Sequence, residues 1–554
     1  MNKKVCSFPI LFALLALLIG TCAVVFPASA QAAPTSAGSI TVSGTVASSY
    51  EAYQIFSANV VDGDSDAKTA TDLAWASDAV RDAALPVLHG AGMPKSQTTA
   101  QEAAEWLNTD SHLTSALSAQ LARSLQNSGA VFVALNAGTA AELPCGYWLI
   151  VADNDAIAEG EAGTAPIMTL VGGSAVTVKP KAATPKVAKH VLEDSTAAWQ
   201  KAADATVADD LYWRLSATVP AGLTAYDTYT VQFVDAVSAG LDLSKVAASM
   251  RVYVAAGADG GFDAVSAGKD GRTGTESAKG WTDITAQCRV SVDGKTFTVR
   301  TGDLIAALGG ADAFTAGARV VAVYNAPLNS ACNHGIAKGN PNEVYLRYPR
   351  SPFADQSGDA GFTCTPSDDA CAYTWDLALT KRGSDGDKPL AGAVLSIADD
   401  RGRTLAADGT WDAEGKATVT TGEDGRVTVS GVDSGKLEVR ELKAPKGYTA
   451  FEGTRSVTVK VEGLDVDQVA AAKPKLTITA ESPLRADSAD GSTGSLEASI
   501  VNTPTGTPPS ITTGGFMPST GDMAMYAAAA AAVAGAALIV VALLVKRGGG
   551  SHKE

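Results

Sequence analysis

The chain has 554 residues, enough for three or four domains at about 150 residues each. It combines 46% apolar residues with 54 glycines and only 6% aromatics, so it can build cores and is neither collagen-like nor disordered throughout. Its formal net charge of −16, with only five histidines, would repel phosphate and excludes a nucleic-acid binder.

Residues 1–32 open with Lys3 and Lys4, run apolar from about Phe8 to Phe26, and end in the small-residue sites Ala28-Ser29-Ala30 and Ala30-Gln31-Ala32. This pattern predicts a cleaved secretory signal peptide and rules out cytosolic residence. Residues 33–181 start with the alternating text Ser39-Ile40-Thr41-Val42 and continue through Tyr53-Gln54-Ile55-Phe56. Apolar positions then recur at three and four over about 71–88 and 100–125, so this block is expected to be α+β with helical inserts. The segment Asp62-Gly63-Asp64-Ser65-Asp66 spaces its carboxylates like a calcium loop. Ala67 stands where that loop needs Gly and Leu73 where it needs Glu, so no metal is assigned.

Residues 182–353 and 372–504 are series of short, β-branched, alternating segments parted by Gly, Asp and Asn turns. They predict tandem immunoglobulin-like β-sandwiches in a mainly β protein. After the signal peptide five cysteines remain, with no metal-binding spacing among them. Outside the membrane disulfides are the default. Cys364 and Cys371 flank a Pro-Ser-Asp-Asp loop and form the expected pair, Cys288–Cys332 is a second candidate, and Cys145 is left over.

Strand periodicity carries the chemistry. In Trp375-Asp376-Leu377-Ala378-Leu379-Thr380-Lys381, Lys381 shares a face with Leu377 and Leu379. In Leu437-Glu438-Val439-Arg440-Glu441, Glu441 shares a face with Leu437 and Val439, and Asn502 does so with Leu496, Ala498 and Ile500. The middle block repeats the pattern. Lys189 faces with Val187 and Val191, Asp235 with Val231 and Phe233, and Asn342 with Val344 and Leu346; Asn340 has the same parity as Asn342. A lysine, a carboxylic acid and an asparagine aimed at one core are costly unless they meet. If they meet, desolvation lowers the lysine pKa towards the nucleophilic amine and raises that of the acid. The acid can then polarise the asparagine carbonyl and shuttle a proton as ammonia leaves, giving a side-chain amide. A buried ion pair with a hydrogen-bonded asparagine is the alternative. Residues 33–181 have no lysine on their opening strand, so no such bond is expected there.

Residues 505–516 are a Pro-, Thr- and Gly-containing stalk expected to be extended. Met517-Pro518-Ser519-Thr520-Gly521 follows, then an apolar stretch over 523–545 long enough to span a bilayer, then Lys546-Arg547 within the tail 546–554. No G-x-S-x-G, HExxH or phosphate loop lies in a suitable context, so neither a turnover enzyme nor a cofactor is expected.

The pentapeptide, apolar span and basic tail together resemble the LPxTG sorting signal of Gram-positive surface proteins, with Met517 in place of Leu. The resemblance implies that a sortase cleaves between Thr520 and Gly521 and passes the Thr520 acyl group to an amine. Residues 372–504 resemble a Cna-B-type domain in Leu379-Thr380-Lys381, Pro389-Leu390-Ala391-Gly392-Ala393, the box Glu441-Leu442-Lys443-Ala444-Pro445-Lys446-Gly447-Tyr448, and Val501-Asn502-Thr503. That family forms Lys–Asn isopeptide bonds, which implies Lys381–Asn502 promoted by Glu441. Phe233-Val234-Asp235-Ala236 with Gly240-Leu241, and Gly339-Asn340-Pro341-Asn342, resemble the middle domain of Gram-positive major pilins. This implies Lys189–Asn342 promoted by Asp235.

Val176-Thr177-Val178-Lys179-Pro180-Lys181 resembles the pilin motif, although Lys179 replaces its Tyr; the implied inter-subunit acceptor is Lys181. Together these resemblances imply a backbone pilin of a surface fimbrium, anchored to the cell wall after a transient stage in the plasma membrane. Its implied partners are sortase, other copies of itself, peptidoglycan, minor pilins and a host ligand. The alternative is a monomeric wall-anchored adhesin or pilus-tip subunit.

Overall fold

In the computed structural model, residues 37–506 are described except 45, 64–66, 110, 159, 181–183, 222 and 258–280. The signal peptide, Lys181, the stalk, the sorting motif from Met517 to Gly521 and the apolar span all lie outside the described residues or almost entirely so. Among the described residues no helix is long and apolar enough to cross a membrane. The fold is mainly β, with a few helices confined mostly to the first unit.

In that first unit the long strand Ser49–Asp62 pairs with Lys68–Trp75, Val133–Asn136 and Gly146–Ala152. A second sheet holds Ala37–Val42 between Ala140–Pro144 and Val176–Val178. Three helices cover the first sheet through Val80, Ala84, Leu88, Leu117, Leu121 and Leu125. Sequence periodicity merged features that the chain separates. Lys68–Trp75 is a strand because β-branched Thr69 and Thr71 pair with Ser49–Asp62, and the helix begins only at Asp78, where Ser77 caps it. The expected 100–125 helix is two, Ala100–Asn108 and Ser115–Ser128. Thr99 and Glu102 form a capping box on the first of these and Thr114 caps the second.

The second unit is a sandwich of two antiparallel-rich sheets. One runs Ala198–Gln200, Val187–Glu193, Tyr212–Thr218, Arg319–Asn325, Arg251–Ala255, Trp281–Asp283. The other runs Ala202–Asp204, Asp368–Tyr373, Asn340–Pro349, Gln232–Val237, Thr296–Arg300, Arg289–Asp293. Trp213, Phe233, Phe297, Tyr324 and Leu346 fill the space between them. This unit does not end at 353. Phe362–Cys364 and Asp368–Tyr373 both pair with Asn340–Pro349, so residues 354–371, which the sequence reading leaves between the two sandwiches, belong to this sheet and its loops.

The third unit packs a five-stranded sheet on a seven-stranded one. In the first, Trp375–Gly383 lies between Arg426–Val432 and Ser495–Pro504, so the unit's first and last strands are neighbours and run parallel. In the second, Gly435–Lys443 lies between Val394–Ala398 and Thr454–Glu462.

Neither expected disulfide forms. Cys364 lies opposite Arg347 and Cys371 opposite Pro341 on the same strand, six positions apart. That is roughly 20 Å at ~3.3 Å per residue, against a Cα limit near 7 Å. Cys288 adjoins Arg289, which pairs with Arg300 opposite Gln232. Cys332 packs on Gly240, beyond the other end of the Gln232–Val237 strand. Loop spacing in the sequence does not reveal that the loop separates strands running along a third. Alkylation of the denatured, unreduced protein should therefore tag Cys288, Cys332 and Cys371; peptide mapping that finds disulfide links among them would contradict this arrangement.

Candidate functional site

Each sandwich brings a lysine, a carboxylic acid and an asparagine together in its core. In the third unit Lys381 is completely buried, and Asn502 and Glu441 nearly so. Lys381 sits opposite Ile500 in the parallel strand pair while Gly383 sits opposite Asn502. The two side chains are therefore diagonal neighbours on one face of one sheet. Glu441 reaches them from the facing sheet. Lys381 Nζ donates to Asn502 Oδ1 at 2.6 Å and lies 3.0 Å from Glu441 Oε1. Asn502 Nδ2 donates to Glu441 Oε1 at 2.8 Å, and the Phe451 amide donates to Glu441 Oε2 at 3.0 Å. The Phe451 ring closes the pocket, its centroid 5.4 Å from Nζ. Desolvation pushes the Lys381 ammonium down to about 8, against the opposing pull of Glu441. Transfer of one proton across the 3.0 Å contact would turn the ion pair into a neutral amine and a protonated acid beside an amide.

The second unit builds its cluster differently. Lys189, Asp235 and Asn342 are all fully buried, but Lys189 lies in one sheet while Asp235 and Asn342 lie in the other. Asp235 pairs with Val344 and Val237 with Asn342, which makes the acid and the amide diagonal neighbours. Lys189 Nζ donates to Asp235 Oδ2 in a very short contact. Its path to the amide runs through Tyr324, whose hydroxyl is 2.9 Å from Lys189 Nζ, 2.9 Å from Asn342 Nδ2 and 3.1 Å from Asp235 Oδ2. Asp235 Oδ1 and Asn342 Oδ1 are buried without a hydrogen-bond partner. Burial raises the Asp235 pKa despite Lys189, and lowers that of Lys189 to about 8. Asn340, of the same parity, is engaged elsewhere: it bonds to the Asn333 backbone at 2.8 Å and to the Ala372 carbonyl at 3.2 Å.

Three residues of this second cluster escaped the sequence reading. Tyr324 was detectable as the one large polar side chain sharing a face with Val320 and Ala322. Lys201 and Asp368 clamp the Lys189 backbone: Asp368 Oδ2 accepts from the Lys189 amide at 2.6 Å, and Lys201 Nζ donates to the Lys189 carbonyl at 2.9 Å while pairing with Asp368. Asp368 sits in text that reads as a loop between cysteines, so periodicity did not expose it.

A Cys332–His334–Asp376 array also occurs, with Sγ 3.5 Å from Nε2 and Nδ1 2.8 Å from Asp376 Oδ2. Burial pushes the Cys332 thiol up to about 11, so it stays protonated at neutral pH and is no nucleophile there. Among the described residues no group of His, Cys, Asp and Glu is arranged to hold a metal.

The family model described as the SpaA prealbumin-like fold domain matches residues 376–473, which takes in Lys381 and Glu441 and stops short of Asn502. The trypsin-resistant surface T6 protein of Streptococcus pyogenes serotype M6 is 30% identical over 143 residues, covering 24% of this chain. The chain spans about a quarter (24%) of that relative's length. Among solved structures, the T6 backbone pilin of serotype M6 Streptococcus pyogenes aligns with a TM-score of 0.47 at 16% identity, covering 85% of this chain and 98% of that one. The major pilin SpaD of Corynebacterium diphtheriae aligns with 0.42 at 15% identity, covering 86% and 98%.

Removing either acid strands a buried lysine without its counter-charge, which costs about 3–5 kcal/mol for a pair of this kind. Glu441→Ala and Asp235→Ala should each destabilise the unit concerned by about that free energy, read as a lower urea midpoint at unchanged slope, while Glu441→Gln, which preserves volume and hydrogen bonding, should cost less. Equal midpoints for Glu441→Ala and the parent chain would show that the cluster contributes nothing.

Proposed function

We propose that the chain is the backbone subunit of a sortase-assembled surface pilus, a structural protein whose second and third units are each closed by an internal amide. The observation that carries this reading is the occurrence, in two successive sandwiches, of a fully buried lysine together with a buried acid and a buried asparagine. One isolated polar cluster could be a structural accident. Two independent solutions to the same chemistry, one within a sheet and one across sheets, point to a demand for covalent closure.

In each unit the neutral lysine amine attacks the asparagine Cγ, the acid polarises the carbonyl, and the Cγ–Nδ2 bond breaks. The lysine loses one N–H proton, the leaving nitrogen gains it, and ammonia departs, so no oxidant or cofactor is consumed. Glu441 promotes Lys381–Asn502 and Asp235 promotes Lys189–Asn342. Each acid acts once per molecule, so the bond formation is a single self-modification and not turnover.

Polymerisation would use the other end of the chain. A sortase cleaves after Thr520 in the motif Met517-Pro518-Ser519-Thr520-Gly521 and keeps the acyl group as a thioester, so linkage needs no further energy source. Lys181 of another subunit extends the fibre, and a peptidoglycan amine ends it at the wall. Val176–Val178 is one edge strand of the first unit's smaller sheet, and Val187–Glu193 opens the second. In the sequence the acceptor therefore falls between the last described strand of the first unit and the first strand of the second.

Two measurements test the proposal. The purified ectodomain should weigh less than its sequence by the mass of two ammonia molecules, and Glu441→Ala and Asp235→Ala should each restore one; an intact mass equal to the full sequence would sink the internal bonds. In cells carrying a pilin sortase, Lys181→Ala should abolish the high-mass ladder on denaturing gels without lowering the thermal midpoint. A ladder that persists when Lys179, Lys181 and Lys186 are all replaced would rule out this joint as the linkage site.

A further inference from the structure

The acids of the two clusters differ by one methylene, and the consequence is visible in their contacts. Glu441 is long enough to touch both reacting groups with a single oxygen, at 3.0 Å from the lysine and 2.8 Å from the asparagine nitrogen. Asp235 touches Lys189 with Oδ2, and what bonds to the asparagine nitrogen is the hydroxyl of Tyr324. That hydroxyl has two lone pairs and one proton. It accepts from Lys189 Nζ at 2.9 Å and from Asn342 Nδ2 at 2.9 Å, and it donates to Asp235 Oδ2 at 3.1 Å. Its capacity is filled by the nucleophile, the leaving group and the acid of the proposed reaction.

We propose that Tyr324 is a catalytic proton relay for the Lys189–Asn342 amide, carrying a proton from Asp235 to the departing asparagine nitrogen. The inference rests on the internal-amide reading above and adds a residue to it. Asp235 enters the reaction protonated, having taken a proton from the Lys189 ammonium. After Nζ attacks Cγ, the phenol passes its own proton to Nδ2 and takes one from Oδ2, and Oδ2 then takes one from Nζ, so Asp235 and Tyr324 end as they began. The Cγ–Nδ2 bond breaks and ammonia is released. One N–H bond is lost at the lysine and one is gained by the leaving group.

The surroundings suit a relay. The Tyr324 ring is completely buried and held edge-on against Phe297, with centroids 4.8 Å apart, so the hydroxyl is fixed in place. Burial together with the neighbouring Asp235 carboxylate holds the phenol far above its usual pKa, which keeps it protonated and prevents a competing phenolate. The Lys189 ammonium also faces the Trp213 ring at 5.5 Å, and Asp368 and Lys201 act on it from outside the cavity through the backbone. In the third unit the corresponding space is closed by Phe451, which carries no hydroxyl, and Glu441 makes both contacts itself.

The test uses the ectodomain made by cell-free synthesis, digested at intervals and read by peptide mass spectrometry at several pH values between 5 and 9. In the parent chain both cross-linked peptides should accumulate. In Tyr324→Phe the Lys381–Asn502 peptide should accumulate at the parental rate and report correct folding. The Lys189–Asn342 peptide should form about a hundredfold more slowly, within the range lost with a general acid–base group. Replacing Tyr324 by a ring-fluorinated tyrosine, which keeps the hydroxyl but acidifies it, should restore the bond with an altered pH profile. A Lys189–Asn342 bond formed by Tyr324→Phe at the parental rate would overturn the relay. Absence of that bond from the parent chain would instead overturn the internal-amide reading. If Tyr324→Phe also loses the third unit's bond through misfolding, the fluorinated chain decides: an unchanged rate and pH profile rejects the relay.

Discussion

A lysine buried without water is the constraint around which both sandwiches are built. Taking an ammonium and a carboxylate out of solvent costs several kcal/mol for each ion, and their mutual attraction offsets this only when the remaining donors and acceptors are satisfied. At Lys381 the satisfaction is nearly complete, because Asn502, Glu441 and the Phe451 amide close the hydrogen-bond circuit. At Lys189 it is not, since Asp235 Oδ1 and Asn342 Oδ1 remain without partners. Conversion of the pair to a neutral amide removes both charges and the asparagine amine together, so the proposed reaction relieves the strain that the cluster itself creates. The closely packed core is then a condition for the chemistry, because water admitted to it would stabilise the ammonium and raise its pKa.

The two clusters would tie different parts of a sandwich. Lys381 and Asn502 lie on adjacent parallel strands, the first and last of their unit. A bond there locks the two chain ends against each other. Lys189 and Asn342 lie in opposite sheets, so a bond there would fasten the layers together. The choice of acid follows the geometry. Glu441 reaches across the gap between sheets with its longer side chain, whereas Asp235 is already beside Asn342 in the same sheet and needs Tyr324 to complete the circuit.

Alternation made the six clustered residues legible in the sequence. An inward polar residue breaks a period of two conspicuously, and Lys189, Asp235, Asn342, Lys381, Glu441 and Asn502 all do so. The sandwich class followed from the same alternation and from turn chemistry. What could not be read were relations between distant strands. Tyr324 comes from a strand that only the sheet order brings over Asn342, and Asp368 reaches Lys189 from 179 positions away. Cys364 and Cys371 looked like a pair because seven positions separate them, yet both of their strands align along Asn340–Pro349 and hold them apart. The mistaken boundary at 353 has the same origin, since the strand that closes the second unit, Asp368–Tyr373, is recognisable only by its partner.

That closing strand also decides how the second and third units are joined. Asp368–Tyr373 runs through Thr374 directly into Trp375–Gly383, with no linker between them. Tyr373 and Trp375 stack with parallel rings 6.1 Å apart, and the Trp375 indole donates to Asp204 of the second unit at 2.8 Å. Asp209 of the second unit is gripped by Arg403 of the third, one contact being 2.7 Å. Asn342 lies opposite Ala370 on this same strand. In a fibre under tension, load entering at Asn502 would cross to Lys381, pass along one continuous strand to Ala370, step sideways to Asn342 and cross to Lys189, the first strand of the second unit. Every step except the sideways one would be covalent. The sideways step is the ladder between Asn340–Pro349 and Asp368–Tyr373, whose hydrogen bonds lie across the strands and would be loaded along them.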